Sequence, residues 1–378
     1  MWWIALRMLT GDGVKYLGLL FGIGFSTLLI AQQATLFVNL VGRAGNAVWA
    51  VPEADIWVMD AKAVAVDGTL PLPDTDLARV RGVPGVLWAV PHLREGGSVR
   101  TPEGKLERVS VVGVDDSSFV GVPPAFLEGT REALRAPGAI AVDEIGFRRI
   151  FPGAGARLGR ELELNDRRAV VAGIVDVDPT FTSGVLFYTR YAQALEFVPG
   201  TRNRMSFVLA KAAPGEDPRA VARRIEAATG LKARERTDWV QDNIDYVIAF
   251  TGIPFNFGIT VALGFVVGVA IVGLTFSLFI RDNIRQFGAL KAIGVTNGQI
   301  RAMVLVQSAW IALIGTAIGC ALAVVFIEAF NETDQFKGFF QPWQILAGTA
   351  AIVALMVVAT GLVAIRGVLR LEPAEVFR

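Results

Sequence analysis

The sequence predicts an α-helical membrane protein with four transmembrane helices plus a large external α+β domain, carried on helical stalks between spans one and two. Three observations carry that expectation. The chain of 378 residues is 53% hydrophobic with a mean hydropathy of +0.49, above the soluble average. Charged residues are absent from four windows, 16–42, 246–280, 302–327 and 338–365. Each exceeds the roughly 20 residues that cross about 30 Å of hydrocarbon as a helix. The segment between the first two windows has strand, helix and turn signals of its own. Four core helices of a soluble protein would be shorter and polar along one side.

The elements run in chain order. Residues 1–15 open with MWWIALRML, whose paired tryptophans suit a helix lying along the cytoplasmic interface. Residues 16–42 form span one and the start of a stalk; the run is too long, and lacks the small-residue cleavage site, for a removed signal peptide. The helical pattern continues through Asn46 to Trp49.

Residues 43–245 are the extracytoplasmic α+β domain with its stalk helices, expected as two subdomains. DIWVMD and GVLWAV read as strands, as do RMSFVLAKA and GLKARER. SVRTPEGKLERVSVVGVD reads as a hairpin turning at 102–104, and LGRELELNDRRAVVAGIVD as another turning at Asn165 and Asp166. DPRAVARRIEAATG is a helix capped by Asp217. TDWVQDNIDYVIAF is a stalk helix with Val240, Ile244, Val247 and Ile248 on one face and Thr237 or Asp238 as cap. Pro254 is placed to kink or break this second stalk. Then come span two (246–280), a charged hairpin (281–301), span three (302–327), a short external loop (328–342), span four (343–365) and a tail (366–378).

Flanking charges set the orientation. Arg7 and Lys15 precede span one, Arg281, Arg285, Lys291 and Arg301 lie between spans two and three, and Arg366, Arg370 and Arg378 come after span four. The loop after span three has Glu328, Glu332 and Asp334 against Lys337. Both termini are therefore expected in the cytoplasm and 43–245 outside, in a multi-pass protein of the plasma (inner) membrane. The arginines of a long translocated domain do not oppose this.

The inventory for chemistry is poor. His92 is the only histidine and reads as a surface or edge residue; Cys320 is alone in span three, which leaves neither a disulfide nor a thiolate metal site. Asp115, Asp116, Asp143 and Glu144 read as solvated loop acids. Gly153, Gly155 and Gly159 lack dinucleotide-loop spacing, and no GxxxxGK[ST] phosphate loop occurs. No catalytic, cofactor-binding or metal residue is expected on this chain, nor any nucleic-acid partner. Strong ionisable residues are missing from mid-span, where proton relays and ion-coupled carriers need them. Gln32, Gln33 and Gln307 are expected as interhelical hydrogen bonders, and the pairs Gly18 and Gly22, Gly264 and Gly268, and Gly315 and Gly319 permit close helix approach.

The stretch RDNIRQFGALKAIGVTNGQIR (281–301) separates two apolar spans. On a helix continuing span two, Arg281, Asp282 and Arg285 share a face with Ala289 and Ala292, while Ile280, Ile284, Phe287 and Leu290 form an apolar ridge on the other. Gly294 suits a helix terminator, and Thr296 with Gln299 a capping box opening the next helix. A plain basic connector on lipid headgroups is the alternative to a docking knob.

QFGALKAIGVTNGQI is similar to the cytoplasmic motif of MacB-type (FtsX-like) ABC transporter permeases, and the resemblance covers nearly the whole chain. YLGLLFGIGFSTLLIAQQ, ADIWVMD and RVRGVPGVLWAVP look most like DevC-type permeases, and LEPAEVFR resembles the family's ending. Where the family commonly has Glu, an apolar residue and Gly, this chain has Gln286, Phe287 and Gly288. That removes a salt bridge to the ATPase and leaves docking by shape.

The resemblance implies a non-catalytic permease that works by mechanotransmission. Two copies would pair with two ATP-binding subunits that hold ATP and Mg. Those subunits would dock on Arg285, Gln286, Phe287, Gly288, Leu290, Lys291 and Gly294, with Phe287 as anchor. A periplasmic adaptor, a lipid-like or amphipathic cargo and surrounding membrane lipid complete the expected partners. An FtsX-like regulator of an envelope hydrolase would use the same machinery. A membrane-anchored enzyme is disfavoured by the poor catalytic inventory.

Overall fold

A computed structural model of the chain describes residues 2–68, 70–153, 157–182, 184–198, 204–331, 333–334 and 336–366. Gly155, Glu332 and the tail beyond Arg366 lie outside them. The helices are α1 (Trp2–Thr10), α2 (Gly13–Gly42), α3 (Asn46–Trp49), α4 (Asp74–Arg81), α5 (Glu144–Ile150), α6 (Tyr191–Phe197), α7 (Pro218–Thr229), α8 (Arg236–Phe250), α9 (Ile253–Asp282), α10 (Ile284–Ala292), α11 (Asn297–Asn331) and α12 (Trp343–Ala364). The strands are β1 (Ile56–Met59), β2 (Leu72–Pro73), β3 (Val86–Arg100), β4 (Leu106–Val114), β5 (Phe126–Gly129), β6 (Ala139–Asp143), β7 (Glu161–Leu164), β8 (Arg167–Val175), β9 (Val185–Arg190), β10 (Arg204–Met205), β11 (Phe207–Ala212) and β12 (Lys232–Glu235). Two compact units result, one of 1–39 with 252–378 and the other of 40–251.

The 40–251 unit is built on a sheet of order β12-β1-β11-β3-β4-β9-β6-β8-β5, with β7 joining β3 and β8. The sequence suggests two subdomains; one long strand instead serves both halves. The first part of β3 pairs with β11 as far as His92, and from Leu93 onward it pairs with β4. Both faces of these strands are covered, so period-2 alternation sorts residues between two cores. In β1, Ile56 and Val58 join a core with α4 and α7, while Trp57 and Met59 join one with α3 and α8. In β9, Val185 and Phe187 face one core and Leu186 and Tyr188 another. A strand buried on both faces reads as an unbroken apolar run, and β6 and β9 lack period-2 alternation for that reason.

The turn chemistry is local and direct. Asn165 and Asp166 sit at φ 47° and 62°, the paired left-handed values of a two-residue hairpin turn. Asp217 accepts hydrogen bonds from the amides of Arg219 and Ala220 and opens α7. In α8 the cap is Glu235, ahead of the expected Thr237 or Asp238, and it accepts from both their amides. The buried face of α8 is Trp239, Val240, Asn243 and Val247, and Ile248 is exposed. Gly45 lets the stalk segments close up: a Cβ there would lie 2.7 Å from Val240 Cγ1.

Two polar readings are corrected. His92 is only 3% exposed, its ring edge-on to Trp57 with centroids 5.6 Å apart. Burial first, and the Arg94 charge second, push its pKa down to about 3. Asp143 is buried rather than solvated; it accepts from the Gly146 amide at 2.8 Å, capping α5, and from the Leu186 amide at 2.6 Å. Burial raises its pKa. Both residues lie where a strand passes beneath covering elements, which short-range sequence context does not reveal.

In the other unit, α2, α9, α11 and α12 supply the four helices long and apolar enough to cross a membrane. The second of these starts at Ile253 instead of 246, because the chain breaks at Thr251 and Gly252 and Pro254 sits in the new first turn, where its missing N–H costs nothing. The glycine pairs work within the chain. A Cβ on Gly22 would lie 2.5 Å from Ile271 Cγ2 and one on Gly315 2.6 Å from Ile23 Cγ2. A Cβ on Gly268 would collide with Ser26 Oγ, and one on Gly319 with Thr27 Cβ. Span one therefore packs backbone-close against both α9 and α11. Gln307 donates from Nε2 to the Ala5 carbonyl at 2.8 Å, tying α1 to α11. Asn39 exchanges two hydrogen bonds with the backbone of Phe340, at 2.8 and 3.1 Å, and so secures the loop before α12.

Candidate functional site: the hairpin between spans two and three

α9 does not continue into α10. Asn283 sits at φ −93°, ψ 10°, and its side-chain amide donates to the Phe279 carbonyl at 2.8 Å. An Asn that satisfies the backbone through its side chain competes with helix propagation, and the regular helix is interrupted at that residue. α10 then ends at Gly294, φ +94°. The Val295 amide donates to the Leu290 carbonyl and the Gly294 amide to the Lys291 carbonyl, each at 3.0 Å, the paired bonds of a Schellman ending. Thr296 and Gln299 cap each other reciprocally, Thr296 N to Gln299 Oε1 at 2.9 Å and Gln299 N to Thr296 Oγ1 at 3.3 Å. This capping box starts α11.

The break decides which face is presented. Phe287 is fully buried, in one cluster with Leu9, Phe279, Ile280, Ile300 and Val304, and Leu290 packs on that cluster. The ridge expected to meet a partner is thus turned onto the chain's own helices, and Phe287 is an internal anchor in this structure. Gly288 is buried beside it. The periodicity correctly groups the ridge residues on one face but says nothing of what covers that face, and in the fold α10 lays its apolar side on the bundle.

The outward face carries Arg285, Gln286, Ala289, Ala292, Ile293 and Gly294, all exposed, while Lys291 is half-buried. Ile293 is 78% exposed and escaped the sequence reading. The signal available was an apolar side chain three residues after Leu290, directly before a helix-ending glycine, where the helix stops and the ridge's spacing no longer assigns a face. At the near end of the segment, Lys15 Nζ bonds the Asp282 carboxylate and lies 2.7 Å from that of Asp12, joining the start of α2 to the end of α9. Among the described residues no His, Cys, Asp or Glu group could hold a metal ion. The exposed face of α10 offers shape and the positive charge of Arg285.

The comparisons with known proteins match two domains in succession along the chain. The MacB-like periplasmic core domain matches residues 16–228, and the FtsX-like permease C-terminal domain matches 258–373. An uncharacterized ABC transporter permease of Mycobacterium tuberculosis is 28% identical over 313 residues, covering 82% of this chain and 80% of the relative. Another from Mycobacterium bovis is 25% identical over 325 residues with the same two shares. The periplasmic region of MacB from Actinobacillus actinomycetemcomitans aligns at 14% identity with a TM-score of 0.39, covering 52% of this chain and 95% of that one. With the MacB-like periplasmic core match covering more than half of the chain and the permease match taking in most of α9 and all of α11 and α12, the chain belongs to the MacB/FtsX-type family of ABC transporter permeases.

Proposed function

We propose that this permease is a mechanotransmitter. ATP binding and hydrolysis, with Mg, occur on a separate ATP-binding subunit, and closure of two such subunits pushes on α10 in two copies of this chain. The push reaches the 40–251 unit through the chain's two links to it, so the outer domains move without cargo passing between the spans. A periplasmic adaptor and a lipid-like or amphipathic cargo fit this reading, as do an inner-membrane location and cytoplasmic termini, for which the flanking basic residues argue.

The carrying observation is α10 itself. It is an autonomous segment between a break at Asn283 and a Schellman ending at Gly294, rooted by Phe287 and open along Arg285, Gln286, Ala289 and Ile293. A rooted lever with an open outer face suits a device that receives force. The lack of a phosphate-binding loop in the sequence and of charged groups among the buried residues of the spans supports the same division of labour. The docking set is accordingly revised to Arg285, Gln286, Ala289, Ala292, Ile293 and Gly294.

The test is co-purification with an ATP-binding subunit encoded beside the chain. Ile293→Asp should release that subunit while the permease remains monodisperse. Full retention by Ile293→Asp and by Ala289→Trp together would overturn the docking face.

A further inference from the structure

α9 and α12 leave a lateral groove of about 810 Å³ within the membrane unit. Its walls are apolar: Val269, Leu274 and Ile280 on one side, Met356 and Val363 on the other. At Gly273 the two helices meet, Thr360 Cγ2 lying 3.3 Å from where a Cβ would sit, so the groove runs along the outer side of that contact. The lining runs from Phe265 to Arg281 along α9 and from Met356 to Ala364 along α12, about 24 Å and about 12 Å at 1.5 Å per residue. The stretch walled by both helices approaches the depth of one leaflet, roughly half of about 30 Å.

The groove's far end on α9 is marked by Arg281. The adjacent carboxylate, Asp282, is committed to Lys15, and among the described residues Arg281 makes no ion pair. An exposed guanidinium thus stands at the headgroup end of an acyl-shaped slot. We propose that this groove holds a phospholipid with an anionic headgroup, in the leaflet on the side of the 281–301 hairpin, its phosphate on Arg281 and one acyl chain along the seam of α9 and α12. A second copy of the chain is the poorer occupant. A two-fold contact through this face would bring the two Arg281 side chains toward one another, whereas an anionic phosphate compensates the charge. The site stands independently of the mechanotransmission reading, because it rests on the geometry of the membrane unit alone.

The experiment is native mass spectrometry on the delipidated full-length chain in detergent, titrated with palmitoyl-oleoyl phosphatidylglycerol or with phosphatidylcholine of the same chains. Wild type should retain phosphatidylglycerol in preference. Arg281→Gln should cut that retention roughly five-fold, the factor one interfacial arginine contributes toward an anionic lipid, and Arg281→Lys should keep most of it. Gly273→Leu should reduce retention of both lipids by crowding the seam of α9 and α12; if that variant misfolds, the Arg281 pair decides. Equal retention of the two lipids, or wild-type behaviour of Arg281→Gln, would overturn the site. So would a disulfide-linked dimer of Leu274→Cys formed in native membranes on a Cys320→Ala background, which would assign the groove to a second copy.

Discussion

Phe287 and Ile293 lie on one short hairpin arm yet take opposite roles, one rooting α10 and the other exposed at its end. Truncating a fully buried phenylalanine removes its transfer energy and leaves a cavity, about 3–5 kcal/mol in a well-packed site. Phe287→Ala is therefore expected to lower the thermal midpoint of the purified permease, a loss that Ile293→Asp should not share; equal midpoints would place Phe287 outside the core. His92 makes a pH prediction. Its folded pKa of about 3 lies below the ordinary value of 6.5, so the unfolded chain binds the proton more readily between those values. The stability this neutral ring contributes is complete above about pH 6.5 and declines as pH falls toward 3. The midpoint should drop further between pH 7.5 and 5.0 in wild type than in His92→Phe, and parallel drops would show the ring to be indifferent to pH.

At the scale of elements, the legible features are those that act within a few residues. The Asp217 cap, the Asn165 and Asp166 turn and the Thr296 and Gln299 box each depend on bonds to their nearest neighbours. The hidden ones depend on covering: which side of α10 the bundle takes, where α8 ends and α9 begins, and that β6 and β9 are strands at all. Gly45 belongs to this second class, since only the fold brings Val240 Cγ1 within 2.7 Å of its missing Cβ. Gly45→Leu is expected to pry α8 from the segment at 43–49. Amide exchange along 236–250 should rise by an order of magnitude or more while exchange in β4 and β9 stays unchanged. Unaltered exchange along α8 would mean the stalk contact contributes little.

For the whole molecule, the sequence conveys four spans, an outer domain and a charged hairpin because hydropathy and charge are additive along the chain. It conveys the exposed face of α10 poorly because a face is defined by its neighbours. Orientation is an expectation that labelling can settle. On a Cys320→Ala background, Glu103→Cys should react with an impermeant maleimide in intact cells and Asn297→Cys should not; equal reaction would reverse the assigned sides. The central claim is that force applied at α10 moves the outer domain. Its most direct measurement places a spin label at Glu103→Cys in both copies of the purified complex with a hydrolysis-deficient ATP-binding subunit. The inter-label distance distribution should shift on adding ATP and Mg, and should not shift in Gly294→Val, where a β-branched residue is forced to φ +94°. An outer domain whose distances ignore nucleotide while the ATPase stays bound would contradict the account.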